Sequence, residues 1–198
     1  WTETRDTIKG YARAIGKIRR ALTPAQKHWW HVSLRMTAQG VTTTPMKIGR
    51  ISAEIQLNLQ THQLNIVTSD GQAWTQPLNG QPTRDLYIFV HTIFLQLGAN
   101  LSSVDVQQFG TEFTPYDPQT AQEIHAVFST VYSVLTKLKH GFRQESSPVQ
   151  LWPHNFDMAL LWLSGNLIEG KDPADAENAD EQMNFGFEPG DSFIAEPY

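Results

Sequence analysis

Apolar positions in this chain change spacing several times, and each change marks an element. From residue 6 to 22 they recur at intervals of three and four: Ile8, Tyr11, Ala12, Ile15, Ile18 and Leu22. That is the buried stripe of an amphipathic helix, with Lys9, Arg13, Lys17 and Arg20 on the opposite face and Pro24 as its stop. Gly10 and Gly16 inside it each cost roughly 1 kcal/mol against alanine, which points to close backbone packing at those positions. The spacing then falls to two. Trp30, Val32, Leu34 and Met36 alternate with polar residues and predict a half-buried strand, and 41–44 is β-branched before Pro45 interrupts it. Ile51, Ala53, Ile55, Leu57 and Leu59 form the most regular alternation. The runs 64–68 and 73–78 flank Asp70-Gly71, a hairpin signal.

Helical spacing returns after Thr83, which reads as an N-cap. Leu86, Val90, Ile93, Phe94 and Leu97 form the inner face, and Gly98 ends the helix. A short strand is predicted at 103–109. Asp117-Pro118 then opens a long helix, a cap residue followed by proline at the first helical position, carrying Ala121, Ile124, Phe128, Val131, Leu135 and Leu138 to Gly141. Runs 149–152 and 158–163 read as strands. The acidic segment 168–183 has no period and reads as a loop, and 184–191 with 194–198 reads as a last β element cut off by the end of the chain. The order predicts an α+β fold, a mainly antiparallel sheet packed with three helices in a single domain over 1–198.

Composition narrows the chemistry. The chain has 198 residues and no cysteine, so disulfides, thiolate metal sites and a cysteine nucleophile are excluded and a cytoplasmic location is expected. No apolar run approaches a membrane span. Charge is segregated. Residues 1–50 hold ten Lys/Arg and two acids, whereas 166–198 hold nine acids and one lysine. The expectation is that these ends neutralise each other, with part of 169–182 lying near Lys9, Arg13, Lys17 and Arg20. Nucleic acid is not an expected partner, because the basic face lacks interleaved aromatics. No nucleotide-binding, Walker, GxSxG or HExxH motif is present, and no cofactor or metal is expected.

Two clusters carry the candidate chemistry. In His28-Trp29-Trp30-His31, a strand would turn Trp29, His31 and Arg35 to one side, able to line a cleft. In Trp152-Pro153-His154-Asn155-Phe156-Asp157, a proline-punctuated bend presents His154 and Asp157 three residues apart. That spacing suits a general acid or base (His154) oriented by a carboxylate (Asp157). The bland reading of the bend is a turn whose Asp and Asn satisfy backbone amides. Together the clusters suggest a small-molecule site, with Trp29, His31, Arg35 and Trp152 as ligand-binding residues. The alternative is a non-catalytic interaction protein using its basic and acidic surfaces. The oligomeric state is not encoded in any pattern seen here.

Three stretches, GKIRRALTPAQKHWWHVSLRMTAQGVTTTPM (16–46), SPVQLWPHNFDMALLWLSG (147–165) and NFGFEPGDSFIAEPY (184–198), resemble a bacterial family filed as domain of unknown function 5996. The resemblance spans nearly the whole chain. It implies a further aromatic strand after Pro197-Tyr198, and a second histidine at the position of Asn155, which this chain lacks. It implies no activity.

Overall fold

The structure, a computed structural model, describes residues 1–175, 177–191 and 193–198. Its first element is helix α1 (Thr2–Leu22). Ile8, Tyr11, Ala12, Ile15 and Ile18 are fully buried, as the three-four spacing requires. Lys27–Val32 forms a kinked 3-10 segment, and six short strands follow: β1 (Arg35–Thr37), β2 (Gly40–Thr42), β3 (Met46–Ile48), β4 (Ile51–Asn58), β5 (Gln63–Thr68) and β6 (Ala73–Pro77). They build an antiparallel sheet in the order β1-β2-β4-β5-β6, with β3 also paired to β4. Along β4, Ala53, Ile55 and Leu57 are buried while Ser52, Glu54 and Gln56 are half-buried, the alternation expected of a strand with one face on the core.

Helix α2 (Thr83–Gln96) begins one residue earlier than the capping pattern suggests. Pro82 occupies the N-cap and Thr83 is already helical. Its hydroxyl is turned against α1, where a Cβ on Gly10 would lie 2.8 Å from Thr83 Oγ1. The strand expected at 103–109 does not form. Val106–Gln108 is a 3-10 turn capped by Asp105, whose side chain accepts from the Gln107 amide. Helix α3 (Pro118–His140) starts as the sequence indicates, with the Asp117 carboxylate accepting from Thr120 N at 2.7 Å.

A second antiparallel sheet closes the chain: β7 (Gln150–Trp152), β8 (Asp157–Leu167) and β9 (Asp180–Phe187), in that order. The acidic segment is therefore shorter as a loop than its composition suggests. Strand β8 runs on to Leu167, and β9 already begins at Asp180, with Leu167 paired to Asp180. Ala176 of that segment lies outside the described residues. Residues 194–198 form no strand, although Glu188 and Tyr198 exchange backbone hydrogen bonds of 2.8 and 2.9 Å.

The two sheets meet where the chain entering β1 runs beside β7. Leu34 and Leu151 donate to each other's carbonyls at 2.8 and 3.0 Å, and both side chains are fully buried. Helix α1 packs on β3 and β4 of the larger sheet and on α2 and α3, while α3 covers β8 and β9. The result is an α+β fold with antiparallel sheets around one contiguous buried cluster. No helix among the described residues is long and apolar enough to cross a membrane.

Candidate functional site

A close contact between α1 and the β7–β8 bend sets the floor of the site. Gly16 sits directly against the Pro153 ring, so near that any side chain there would overlap it. Beside this contact opens a cleft of about 630 Å³, within the range of small-molecule sites. One wall is the basic stripe of α1, Arg13, Lys17 and Arg20. The opposite wall is the bend, with Trp152, His154 and Asp157. The 3-10 segment and the β8–β9 loop close one end through His28, Trp29 and Glu177.

The 3-10 segment replaces the strand expected over residues 30–36, of which only Arg35 and Met36 join β1. His28 and Trp29 both adopt left-handed backbone conformations, with φ of 53° and 58°. For side chains with a Cβ, such conformations cost roughly 1–2 kcal/mol each. They persist because the side chains are tied down elsewhere. His28 Nε2 donates to Asp180 Oδ2 at 2.8 Å, and Lys27 forms an ion pair with the same carboxylate. Trp29 Nε1 donates to Glu177 Oε2 at 3.2 Å, its ring stacks on His31 at 5.6 Å, and the Arg20 guanidinium lies over it at 5.0 Å.

The cleft brings together Trp29, Trp152, His154 and Asp157, but not His31 or Arg35. His31 is buried behind Trp29, and its Nδ1 accepts from the Gln26 amide at 3.1 Å. Burial, together with Arg20 and Arg19, lowers its pKa. Arg35 is turned inward, donating to Gln150 Oε1 at 2.6 Å and to Ser33 Oγ at 3.3 Å. Both act in packing rather than at the cleft, because the kink at His28-Trp29 breaks the strand alternation that would have aligned them with Trp29.

The expected His154–Asp157 pair is not formed either. His154 is exposed at the rim, edge-on to Trp152 at 6.3 Å, and has no hydrogen-bond partner among the described residues. Partial desolvation of its ring at the cleft rim, with the charges of Lys9, Arg13 and Lys17, lowers its pKa. Asp157 is half-buried, and its Oδ1 is shielded from water without a partner. Burial pushes its pKa up to about 6, helped by the nearby Glu188 carboxyl. The two groups at one bend are thus shifted in opposite directions without touching.

The histidine that does hold a carboxylate is His28. Asp180 fixes its ring and leaves Nδ1 free of any hydrogen bond among the described residues. Sequence reasoning picked out the His28–His31 cluster but missed this partner, which lies 152 positions away in the acidic segment. The same segment was expected on Lys9, Arg13, Lys17 and Arg20. Its Glu177 shares the cleft with Arg13, Lys17 and Arg20 and bonds the Trp29 indole over which Arg20 lies, whereas Asp180 pairs with Lys27 and His28, and none of those four cations forms an ion pair with the segment among the described residues. Nor does any group of three or more His, Asp or Glu among the described residues have the arrangement to hold a metal ion.

Fold and cleft together define an α+β protein whose first helix and second sheet enclose an aromatic, cation-walled hollow. The model of a family of unknown function, DUF5996, matches residues 1–198, the whole chain, and the chain belongs to that family. No curated protein and no solved structure matches it.

Proposed function

We propose that this protein binds a small molecule in the cleft between α1 and the β7–β8 bend and exchanges a proton with it. The observation that carries this reading is Asp157. It is a carboxyl at a cleft wall, with one oxygen unpartnered and a pKa of about 6. Such a group can donate or accept a proton near neutrality, which an ordinary aspartate does not do. His154 and His28, the latter oriented by Asp180, place two imidazoles around the same hollow. Trp152 and Trp29 are its aromatic walls. The cysteine-free composition supports a cytoplasmic setting.

The reading of the protein as an interaction surface built from basic and acidic faces has less support. Asp180, the best-anchored acid of the loop, is used internally. The test is a thermal-shift screen of metabolites, since a ligand that binds only the folded form raises the melting temperature. Hits are then measured on Trp152→Ala and Asp157→Asn. Loss of binding with Trp152→Ala, and a changed pH profile of binding or turnover with Asp157→Asn, are expected. Hits indifferent to both substitutions would place the site elsewhere.

A further inference from the structure

We infer that the cleft takes an oxyanion carried on a flat unsaturated ring, with the anion held by Arg13 and Lys17 and the ring lying on Trp152. This rests on the reading of the cleft as a small-molecule site and specifies its ligand.

The charge side of the argument begins with spacing. Arg13, Lys17 and Arg20 stand four and three residues apart, so α1 presents them as one stripe. A basic helix stripe is ordinarily a solvated face. This one borders a concave wall. Two carboxyls line the same cleft, Glu177, which accepts from the Trp29 indole, and Asp157 on the facing wall, and neither forms an ion pair with the stripe among the described residues. Asp180, just outside the cleft, is held by Lys27 and His28. The described ion pairs are Arg5–Asp6, Lys27–Asp180 and His28–Asp180. Arg20 is engaged over the Trp29 ring, which leaves Arg13 and Lys17 as the cations of this cleft with no hydrogen-bond or ion-pair partner among the described residues. Their field reaches the opposite wall, since both contribute to the lowered pKa of His154.

The ring side follows by comparing the two tryptophans. Trp29 is occupied by the His31 stack, the Arg20 guanidinium and the Glu177 hydrogen bond. Trp152 is half-buried at the cleft wall, and its one aromatic contact among the described residues is the T-shaped pair with His154 at 6.3 Å. A planar ligand ring would find there the large face that aromatic recognition uses.

Isothermal titration with phenyl phosphate, inorganic phosphate and benzamidine tests the assignment. Phenyl phosphate should bind more tightly than inorganic phosphate, and benzamidine should not bind. Arg13→Ala and Lys17→Ala should each weaken phenyl phosphate about ten-fold, the value of one charge-assisted hydrogen bond. Trp152→Ala should weaken phenyl phosphate and leave inorganic phosphate unchanged. Raising the salt should weaken both anions. Benzamidine binding equal to phenyl phosphate, or phenyl phosphate binding untouched by Arg13→Ala and Lys17→Ala, would overturn the ligand class while leaving the cleft a binding site. Failure of all three probes, with no metabolite hit sensitive to Trp152→Ala, would remove the cleft reading as well.

Discussion

Replacing Gly16 with alanine sets two opposed effects against each other at the floor of the cleft. Inside a helix, alanine is favoured over glycine by about 1 kcal/mol, so propensity alone predicts a more stable protein. Packing opposes it. The new Cβ would overlap the Pro153 ring, whose own Cβ it would approach to 2.8 Å. Both residues are buried, and a proline ring has no rotamer by which to escape. Relief requires moving α1 or the β7–β8 bend, and overpacking of this kind costs about 1–3 kcal/mol. With two ring carbons involved, the upper part of that range applies, and the net expectation is a loss of about 1–2 kcal/mol. For a chain of this length that lowers Tm by roughly 2–8 °C. Gly10→Ala is the control. Its Cβ would meet only the Thr83 hydroxyl closely, at 2.8 Å, and that group can rotate away, so the substitution should be neutral to within about 0.5 kcal/mol. Urea denaturation of both variants, with Pro153→Gly and the Gly16→Ala/Pro153→Gly double variant, completes the cycle. In the Pro153→Gly background Gly16→Ala should become neutral or stabilising, a coupling of at least about 1 kcal/mol. The reasoning is refuted if Gly16→Ala is as stable as the parent, or if its cost is the same with Pro153 absent.

Two further outcomes follow from the charges. Asp157 has a folded pKa of about 6, above its unfolded value, so its ionisation penalises the fold increasingly from about pH 4 and fully above about pH 6. Asp157→Asn, uncharged throughout, should therefore gain about 1–2 kcal/mol relative to the parent between pH 4 and pH 7.5, less than the full shift because the group is partly solvated; an equal difference at both pH values would show that burial does not tax this carboxylate. Asp180 is shifted the other way, held low by the Lys27 hydrogen bond and by His28 against the opposing effect of burial. Its contribution is present at neutral pH and lost as pH falls through its depressed pKa, so Asp180→Asn should cost up to about 1 kcal/mol at pH 7 and progressively less as the pH is lowered into the acid range. The same variant should speed amide hydrogen exchange in residues 168–179, and unchanged exchange there would mean that other contacts hold the loop.

Much of the fold was legible because local pattern and tertiary burial agree. The stripe on α1, the alternation along β4, the Asp70-Gly71 hairpin and the Asp117-Pro118 helix start all appear where spacing and turn chemistry place them. Gly10 and Gly16 were also informative, since glycine in a helix at that cost implied a close neighbour, and Thr83 and Pro153 are those neighbours. Alternation failed at residues 30–36 because long-range partners won over local preference. Two left-handed residues, anchored by Asp180 and Glu177, break the strand and separate Trp29 from Arg35. The site was legible in part for the same reason. Trp29, Trp152, His154 and Asp157 share the cleft, yet spacing along the chain suggested His154 with Asp157, whereas the folded carboxylate partner of a cleft histidine is Asp180 of β9, held against His28. No local pattern encodes a contact across 152 positions.

That distance has a consequence in time. The backbone at His28-Trp29 is strained and is held by residues near the other end of the chain. During synthesis, at about 5–20 residues per second, Asp180 emerges on the order of ten seconds after His28. Helix α1 and the six-stranded sheet can assemble in that interval from residues already made. The end wall of the cleft cannot, since neither anchor of its strained turn yet exists. The hollow is thus the last part of the molecule to take shape, and a chain halted before β9 would carry a finished larger sheet beside an unmade site.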